Sequence, residues 1–166
     1  LERSVAGAGR RAGEARSSIA ARFDRICAVL DSLGYLDPGH PDEITPAGAL
    51  LSRIYGELDL VTAEAVRAGA LADLPVPALA AVLSTLVHEP RPGSGRPARR
   101  MPDEASENAQ RALRDVWRRV GLVERDNRVE RSRPLDMGFA EPVFEWARGA
   151  GLAEVLDGAE LTAGDF

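Results

Sequence analysis

The chain has 166 residues, of which 45% are hydrophobic and 28% are charged, and its formal net charge is −5. This length and apolar content suit one ordinary globular domain and exclude a disordered chain. All 21 basic residues are arginines, so the chain has neither the lysine of a Walker A phosphate loop nor a Schiff-base lysine.

Apolar residues at steps of three and four predict the first three helices. The first covers residues 16–34 and ends at Gly34, a residue that tolerates the left-handed backbone after a helix. The second begins at Thr45, a good N-cap that is followed by a proline. The third opens at Asp59 and is closed by Gly69.

Three more helices are predicted in the second half of the chain. The fourth is introduced by Pro75, and the fifth starts at Asp103. The sixth follows Asp136, and Pro142 within its pattern predicts either a kink or a late start. A short helical turn is expected after it, at Leu152–Leu156.

These elements predict an all-α fold, a helical bundle of about six helices. No segment shows the period-two alternation of a strand, and short loops join the helices. We expect seven of the apolar residues on the helix faces to lie in the core: Phe23, Ile26, Leu30, Leu83, Trp117, Phe139 and Trp146.

Cysteine and histidine usage argues against a disulfide or a metal site. Cys27 is the single cysteine, so no disulfide forms within the chain, and a reducing, cytoplasmic location is expected. His40 and His88 are the other soft ligands, and the three residues show no paired ligand spacing. No apolar run approaches 18 residues, so we expect no contact with a membrane, and the N-terminus has no signal-peptide core.

Positive charge is concentrated in the middle of the chain. Residues 91–133 carry twelve arginines and seven acidic residues, whereas the rest carries nine arginines and nineteen acidic residues. A basic strip can contact a phosphate backbone, although a solvated helix face and a basic loop give the same pattern. The candidate phosphate contacts are Arg91, Arg99, Arg100, Arg111, Arg114 and Arg118.

The sequence carries no recognisable catalytic motif. Gly7–Ala12 matches the loose G-x-G-x-x-A dinucleotide pattern, but no strand precedes or follows it. The nucleophile motif G-x-S-x-G is absent. Glu89, next to His88, opposes the dipole at the end of the fourth helix, which fits either a tolerated surface acid or a functional one. The residues thus predict a non-catalytic binding or accessory module.

Four stretches, taken together and in order, resemble a known family. They are RFDRICAVLDSLGYL, ITPAGALLSRIYGELDLVTAEAVRAGALADL, PALAAVLSTLVHE and MGFAEPVFEWARGAGLAEVLDGAELTAGDF. The sequence resembles the DSHCT domain, the C-terminal helical domain of superkiller-type RNA helicases, and in particular its HelY-like actinobacterial members. The resemblance covers residues 20–166, and residues 1–19 are expected to be a connector from a preceding domain.

The resemblance implies a helical accessory domain of an ATP-dependent RNA helicase that unwinds 3′ to 5′ in RNA processing or decay. The domain would form a wall of the channel for single-stranded RNA, with Glu89 and Asp165 beside the channel. ATP and magnesium would bind in motor domains of the same polypeptide, and no cofactor would bind in this segment. The resemblance also implies that the chain stops just before the family's ratchet helix.

Two other functions stay open from the sequence alone. A helical protein-interaction domain without a nucleic-acid role fits the same composition. A helix-turn-helix DNA binder is disfavoured, because no helix pair shows a short glycine turn followed by an exposed polar recognition helix.

Overall fold

The computed structural model describes residues 18–40, 43–89 and 100–159, together with Gly164. Within these ranges the chain forms seven helices, and its one extended pairing is an isolated antiparallel bridge between Leu36 and Ile44. The all-α prediction is confirmed. In the described part of the chain, no helix is both long enough and apolar enough to cross a membrane.

The helices follow one another along the chain with short connections. Helix α1 covers residues 18–32, and the short turn predicted after residue 151 is a seventh helix that continues to Gly158. The other bounds are α2 Pro46–Leu51, α3 Asp59–Arg67, α4 Val76–Val87, α5 Glu104–Asp126, α6 Ala140–Ala147 and α7 Leu152–Gly158.

Side-chain caps define where two helices begin. The Thr45 hydroxyl oxygen accepts from the backbone N–H of Gly48 (3.2 Å) and donates to the carbonyl oxygen of Gly34 (2.8 Å). The start of α2 is thereby joined to the turn after α1, where Gly34 has a φ of +75°. At α5, Asp103 Oδ1 accepts from the N–H of Ser106 (2.8 Å). Both capping predictions are confirmed.

Helix α6 starts late, which is one of the two outcomes that Pro142 predicts. Phe139 is its N-cap, and Pro142 is the third residue of the helix, where it is buried. The first four N–H groups of a helix have no partner within it, so a proline costs no hydrogen bond at this position.

The chain divides into two compact units. The first contains the described residues up to Arg53 together with Gly121–Arg131, and its buried residues include Val29 and Tyr35. The second contains the described residues from Ile54 to Val120 and from Ser132 onward. In the second unit α4 packs against α6, and α6 packs against α7.

Helices α3, α4, α5 and α6 supply most of the core of the second unit. An apolar face of each helix is buried there, and burial of these side chains is the main source of stability. The core residues are Leu58, Val61, Ala65, Ala78, Ala81, Val82, Leu86, Met101, Ala109, Leu113, Val116, Val120, Ala140 and Phe144.

Four residues predicted to lie in the core are exposed: Phe23 (65%), Ile26 (39%), Leu83 (38%) and Trp146 (53%). The core prediction is wrong for them, because periodicity shows that residues share a helix face and not that the same chain covers that face. Leu30 and Phe139 are partly buried, and Trp117 is a partly buried residue that packs against the core.

Candidate nucleic-acid interface

The end of α4 carries Glu89, one of the two acids that the family resemblance places beside an RNA channel. The helix ends at Val87, and His88 follows as its C-cap with an extended backbone (φ −69°, ψ 131°). Glu89 is exposed, and none of the described residues forms an ion pair with its carboxylate. Asp165, the other predicted acid, lies outside the described residues.

Arg133 stabilises the end of α4 from the segment that precedes α6. Its Nη2 donates to the carbonyl oxygen of Leu86 (2.8 Å), and its Nε donates to Glu57 Oε2 (2.8 Å). The last carbonyl groups of a helix lack partners within it and carry partial negative charge. The Arg133 guanidinium group therefore satisfies the carbonyl oxygen of Leu86. Its positive charge also offsets part of the negative end of the α4 dipole, which is unfavourable for the Glu89 carboxylate.

Four residues between the end of α4 and the start of α6 form the His88 cluster: His88, Asp136, Gly138 and Phe139. The rings of His88 and Phe139 have centroids 4.1 Å apart and are tilted by 30°. His88 Nε2 lies 3.6 Å from Asp136 Oδ1, which also accepts from the N–H of Gly138 (2.7 Å). The cluster brings the C-cap of α4 against the entry to α6.

Thr85 connects this end of α4 to its neighbours. Its carbonyl oxygen accepts from the N–H of Asp136 (3.2 Å), and its hydroxyl lies 2.8 Å from the carbonyl oxygen of Val82 and 3.1 Å from Gln110 Oε1 on α5. Both residues are buried: Thr85 has no exposed surface, and Gln110 is 1% exposed. A buried polar pair of this kind defines the packing of α4 on α5, because either group alone would be costly in an apolar core.

Thr85→Val is therefore expected to lower the free energy of unfolding by about 1–3 kcal/mol, since valine keeps the shape and leaves the Gln110 oxygen without the hydroxyl. Chemical denaturation followed by circular dichroism measures this change. The double variant Thr85→Val/Gln110→Leu removes both polar groups, and we expect it to cost less than the sum of the single substitutions. A Thr85→Val protein as stable as the parent would show that the pair contributes nothing.

Arg111, Arg114 and Arg118 recur along α5 at steps of three and four, so they share one face of the helix. Each guanidinium group on this face already has a partner, and only the carboxylates of Glu107 and Asp115 offset part of the positive charge. The partners are Asn108 for Arg111, Asp115 for Arg118 (3.0 Å), and Met137 Sδ (3.6 Å) and Glu107 (3.9 Å) for Arg114. Arg111 and Arg118 are exposed, whereas Arg114 is half-buried.

Most of the surplus positive charge lies outside this face. Residues 100–120 carry five arginines and four acidic residues, an excess of one. Three of the five surplus charges of residues 91–133 belong to residues 91–99, which carry three arginines and no acid. Two of the predicted phosphate contacts, Arg91 and Arg99, lie outside the described residues. A third, Arg100, is described and is exposed.

A cleft of about 370 Å³ lies between α6 and α7. Three carboxylates line it, those of Glu141, Glu145 and Glu154, and Glu145 also pairs with Arg148 (3.2 Å). The negative lining repels phosphate, so this cleft is a poor surface for nucleic acid. Among the described residues, no three or more His, Cys, Asp or Glu side chains are grouped so that they could hold a metal ion.

Sequence reasoning missed three residues of this site: Arg133, Asp136 and Gly138. For the segment before α6, the sequence indicates only that a helix follows Asp136. Its one local signal is the pattern D-x-G at residues 136–138, which is typical of a turn closed by an aspartate side chain. No local signal indicates that Arg133 reaches the end of α4.

Comparison with known proteins places the chain in a family. Residues 41–166 match the profile of the DSHCT (NUC185) domain. The chain is 34% identical over 177 residues to a probable helicase HelY of Mycobacterium tuberculosis (strain ATCC 25618 / H37Rv), and 36% identical over 178 residues to a probable helicase HelY of Mycobacterium leprae (strain TN).

These alignments cover 100% of this chain but only 20% and 19% of the two relatives. The chain therefore spans about a fifth of the length of the relatives that it matches. The family match covers most of the residues, from 41 to 166, and both relatives exceed 30% identity over the whole chain. The chain belongs to the DSHCT (NUC185) domain family.

Proposed function

We propose that this chain is the helical accessory domain of an ATP-dependent RNA helicase that unwinds 3′ to 5′, and that it forms a wall of the channel for single-stranded RNA. The observation that carries the proposal is the similarity of the whole chain to one segment of two probable helicases. ATP and magnesium would bind in motor domains of the same polypeptide. The 166 residues contain no lysine and therefore no Walker A loop, which agrees with ATP binding in other domains.

The exposed arginines of α5 are suited to bind phosphates without reading bases. Arg111 and Arg118 lie on one face, and each is held near the helix by a short polar side chain, Asn108 or Asp115. A phosphate group can replace either partner as the acceptor. Binding through such contacts depends steeply on salt and tolerates any sequence.

Glu89 has a different role in this proposal, because a carboxylate repels phosphate. A carboxylate is an acceptor, and a ribose 2′-hydroxyl is a donor that DNA lacks. Glu89 is exposed at the end of α4, and none of the described residues competes with such a donor for its oxygens. An arginine from another part of the polypeptide would be the alternative donor.

Arg111→Gln/Arg118→Gln is expected to weaken binding of single-stranded RNA to the chain and to make binding less sensitive to salt. Each lost phosphate contact reduces the slope of log K against log salt by about 0.7, so the double variant loses about 1.4. Fluorescence anisotropy with a short labelled RNA, measured between about 50 and 200 mM salt, gives both quantities. Homopolymers of different bases should show the same loss.

The matched control is Arg22→Gln/Arg25→Gln, which removes the same charge from two exposed arginines of α1. This control should leave the slope nearly unchanged. If both double variants reduced the slope equally, binding would be a diffuse charge effect. If Arg111→Gln/Arg118→Gln changed nothing, the α5 face would not be the interface.

The helicase part of the proposal is tested in the coding sequence that surrounds this domain. Motor motifs with a Walker lysine and a DExH box in the same reading frame would support it. Their absence would favour the alternative, a helical protein-interaction domain. The purified 166-residue chain is expected to hydrolyse no ATP, and measurable hydrolysis would contradict the assignment of ATP binding to other domains.

One surface of the domain fits either function. Helix α4 contains no charged residue, and Val76, Leu83 and Val87 along it are 71%, 38% and 76% exposed. A helix that is apolar all round is normally covered by protein. In an interaction domain this surface would bind the partner, whereas in a helicase it would contact another domain of the same polypeptide.

A further inference from the structure

We propose that His88 is a positioning residue that determines the direction in which Glu89 leaves the end of α4. The RNA side of this inference rests on the proposed function, in which Glu89 accepts from a ribose hydroxyl. The positioning itself is a property of the His88 cluster and can be measured without RNA. Glu89 is the group that would touch the nucleic acid, and His88 acts only through it.

The His88 ring is held on two sides by residues from the entry to α6. The Phe139 ring lies against it, with centroids 4.1 Å apart and a tilt of 30°. Asp136 Oδ1 lies 3.6 Å from His88 Nε2. The His88 and Asp136 side chains are only 20% and 17% exposed, so the ring is largely enclosed.

The residues around the His88 ring are themselves fixed. The N–H of Asp136 donates to the carbonyl oxygen of Thr85 (3.2 Å), so Asp136 is attached to the last turns of α4. The N–H of Gly138 donates to Asp136 Oδ1 (2.7 Å), which holds the carboxylate oxygen that faces His88. These two hydrogen bonds fix the surface against which the His88 ring packs.

Gly138 allows this close approach because it has no side chain. A Cβ atom at this position would lie 3.1 Å from His88 Nε2 and 2.9 Å from Asp136 Oδ1. Both distances are too short for an unstrained carbon contact. Any larger residue would push the His88 ring or the Asp136 carboxylate away from its present position.

The position of the ring is transmitted to Glu89 through the backbone of His88. The N–H of His88 still donates to Ser84 O (2.9 Å) as part of α4, but its ψ of 131° already belongs to extended chain. His88 is therefore the residue at which the chain turns out of the helix. When its ring and its N–H are both held, the φ and χ angles of His88 are restricted, so the chain leaves α4 toward Glu89 from a fixed Cα position.

The first experiment measures the ¹⁵N order parameter of the Glu89 amide in the 166-residue chain. His88→Ala removes the ring, and the order parameter is expected to fall from the range of rigid backbone, about 0.85, toward values below about 0.6. His88→Phe keeps a ring against Phe139 and should retain most of the order. Val87→Ala is the matched control, because this neighbouring side chain is 76% exposed and its loss should change nothing at Glu89. Unchanged order at the Leu113 amide shows that each variant is folded.

The second experiment measures the affinity ratio of RNA to single-stranded DNA of the same sequence. Glu89→Gln keeps an acceptor oxygen but removes its charge, so it is expected to reduce the preference for RNA by roughly threefold to tenfold, the difference between a charge-assisted and a neutral hydrogen bond. His88→Ala should cause the same loss, and the double variant should lose no more than either single variant. A residue with only a structural role would weaken RNA and DNA binding equally and leave the ratio unchanged.

The outcomes separate the two proposals. If the order parameter of the Glu89 amide is unchanged in His88→Ala, the positioning role of His88 is overturned, whatever the result with RNA. A changed ratio in Glu89→Gln together with an unchanged ratio in His88→Ala also overturns it. If His88→Ala reduces the order but Glu89→Gln leaves the ratio unchanged, the positioning stands and the proposed contact between Glu89 and RNA fails.

Discussion

Gly48→Ala is expected to lower the free energy of unfolding by about 2–4 kcal/mol. Gly48 is buried inside α2, and a Cβ atom there would collide with the carbonyl oxygen of Tyr35 and lie 2.9 Å from the Cβ atom of Ile44. Neither atom can rotate away, because one belongs to the backbone and the other is attached directly to it. At an exposed helix position the same substitution would stabilise the protein by about 0.5–1 kcal/mol, so packing reverses the sign.

The matched control for this prediction is Gly56→Ala. Apart from its two chain neighbours, none of the described residues has an atom within 4 Å of a Cβ atom built at Gly56, and its φ is not in the left-handed region. We expect its free energy of unfolding to stay within about 0.5 kcal/mol of the parent, with an unchanged dependence on urea. If Gly48→Ala matched Gly56→Ala in urea unfolding, the close approach of α2 to Tyr35 would not exist in solution.

The helices could be predicted because their signals are local. Thr45, Asp59 and Asp103 are each followed within one turn by the residues that a helix start requires, and the structure begins α2, α3 and α5 there. Pro142 constrains its own torsion angle and the residue before it, so its effect on the start of α6 was equally visible.

The core was predicted less well because burial depends on a partner surface. Leu83 and Val82 are neighbours on α4, yet Val82 is fully buried and Leu83 is 38% exposed. The apolar stripe of α1 is regular, but Phe23 on it is 65% exposed. Periodicity identifies the face, and only tertiary contacts decide whether this chain covers it.

The sequence names part of the candidate site. The family resemblance selects Glu89 and the charge pattern selects Arg111 and Arg118, and the contact of these residues with nucleic acid stays a prediction. The His88 cluster could not be predicted, because His88 and Asp136 lie 48 positions apart and no period or motif links them. Arg133 is similar: it contacts Leu86 from a segment whose sequence indicates only an irregular loop.

Leu113→Ala is the second substitution with a large expected effect, a loss of about 2–5 kcal/mol in the free energy of unfolding. Leu113 is completely buried in the middle of α5, in the core that this helix shares with α3, α4 and α6. Alanine removes the transfer free energy of the leucine side chain and leaves a cavity that a close-packed core fills only in part. Thermal or urea unfolding of the chain measures the loss.

Leu122→Ala is the control on the same helix, since Leu122 is 49% exposed, and we expect it to lower the free energy of unfolding by less than about 1 kcal/mol.

A further comparison separates effects on folding from effects on RNA binding. Under conditions where both proteins are folded, Leu113→Ala should leave the salt dependence of RNA binding unchanged, whereas Arg111→Gln/Arg118→Gln should change it with little effect on stability. If Leu113→Ala also reduced the salt slope, the arginine face of α5 would depend on core packing, and the loss of slope in the arginine variant would no longer identify phosphate contacts.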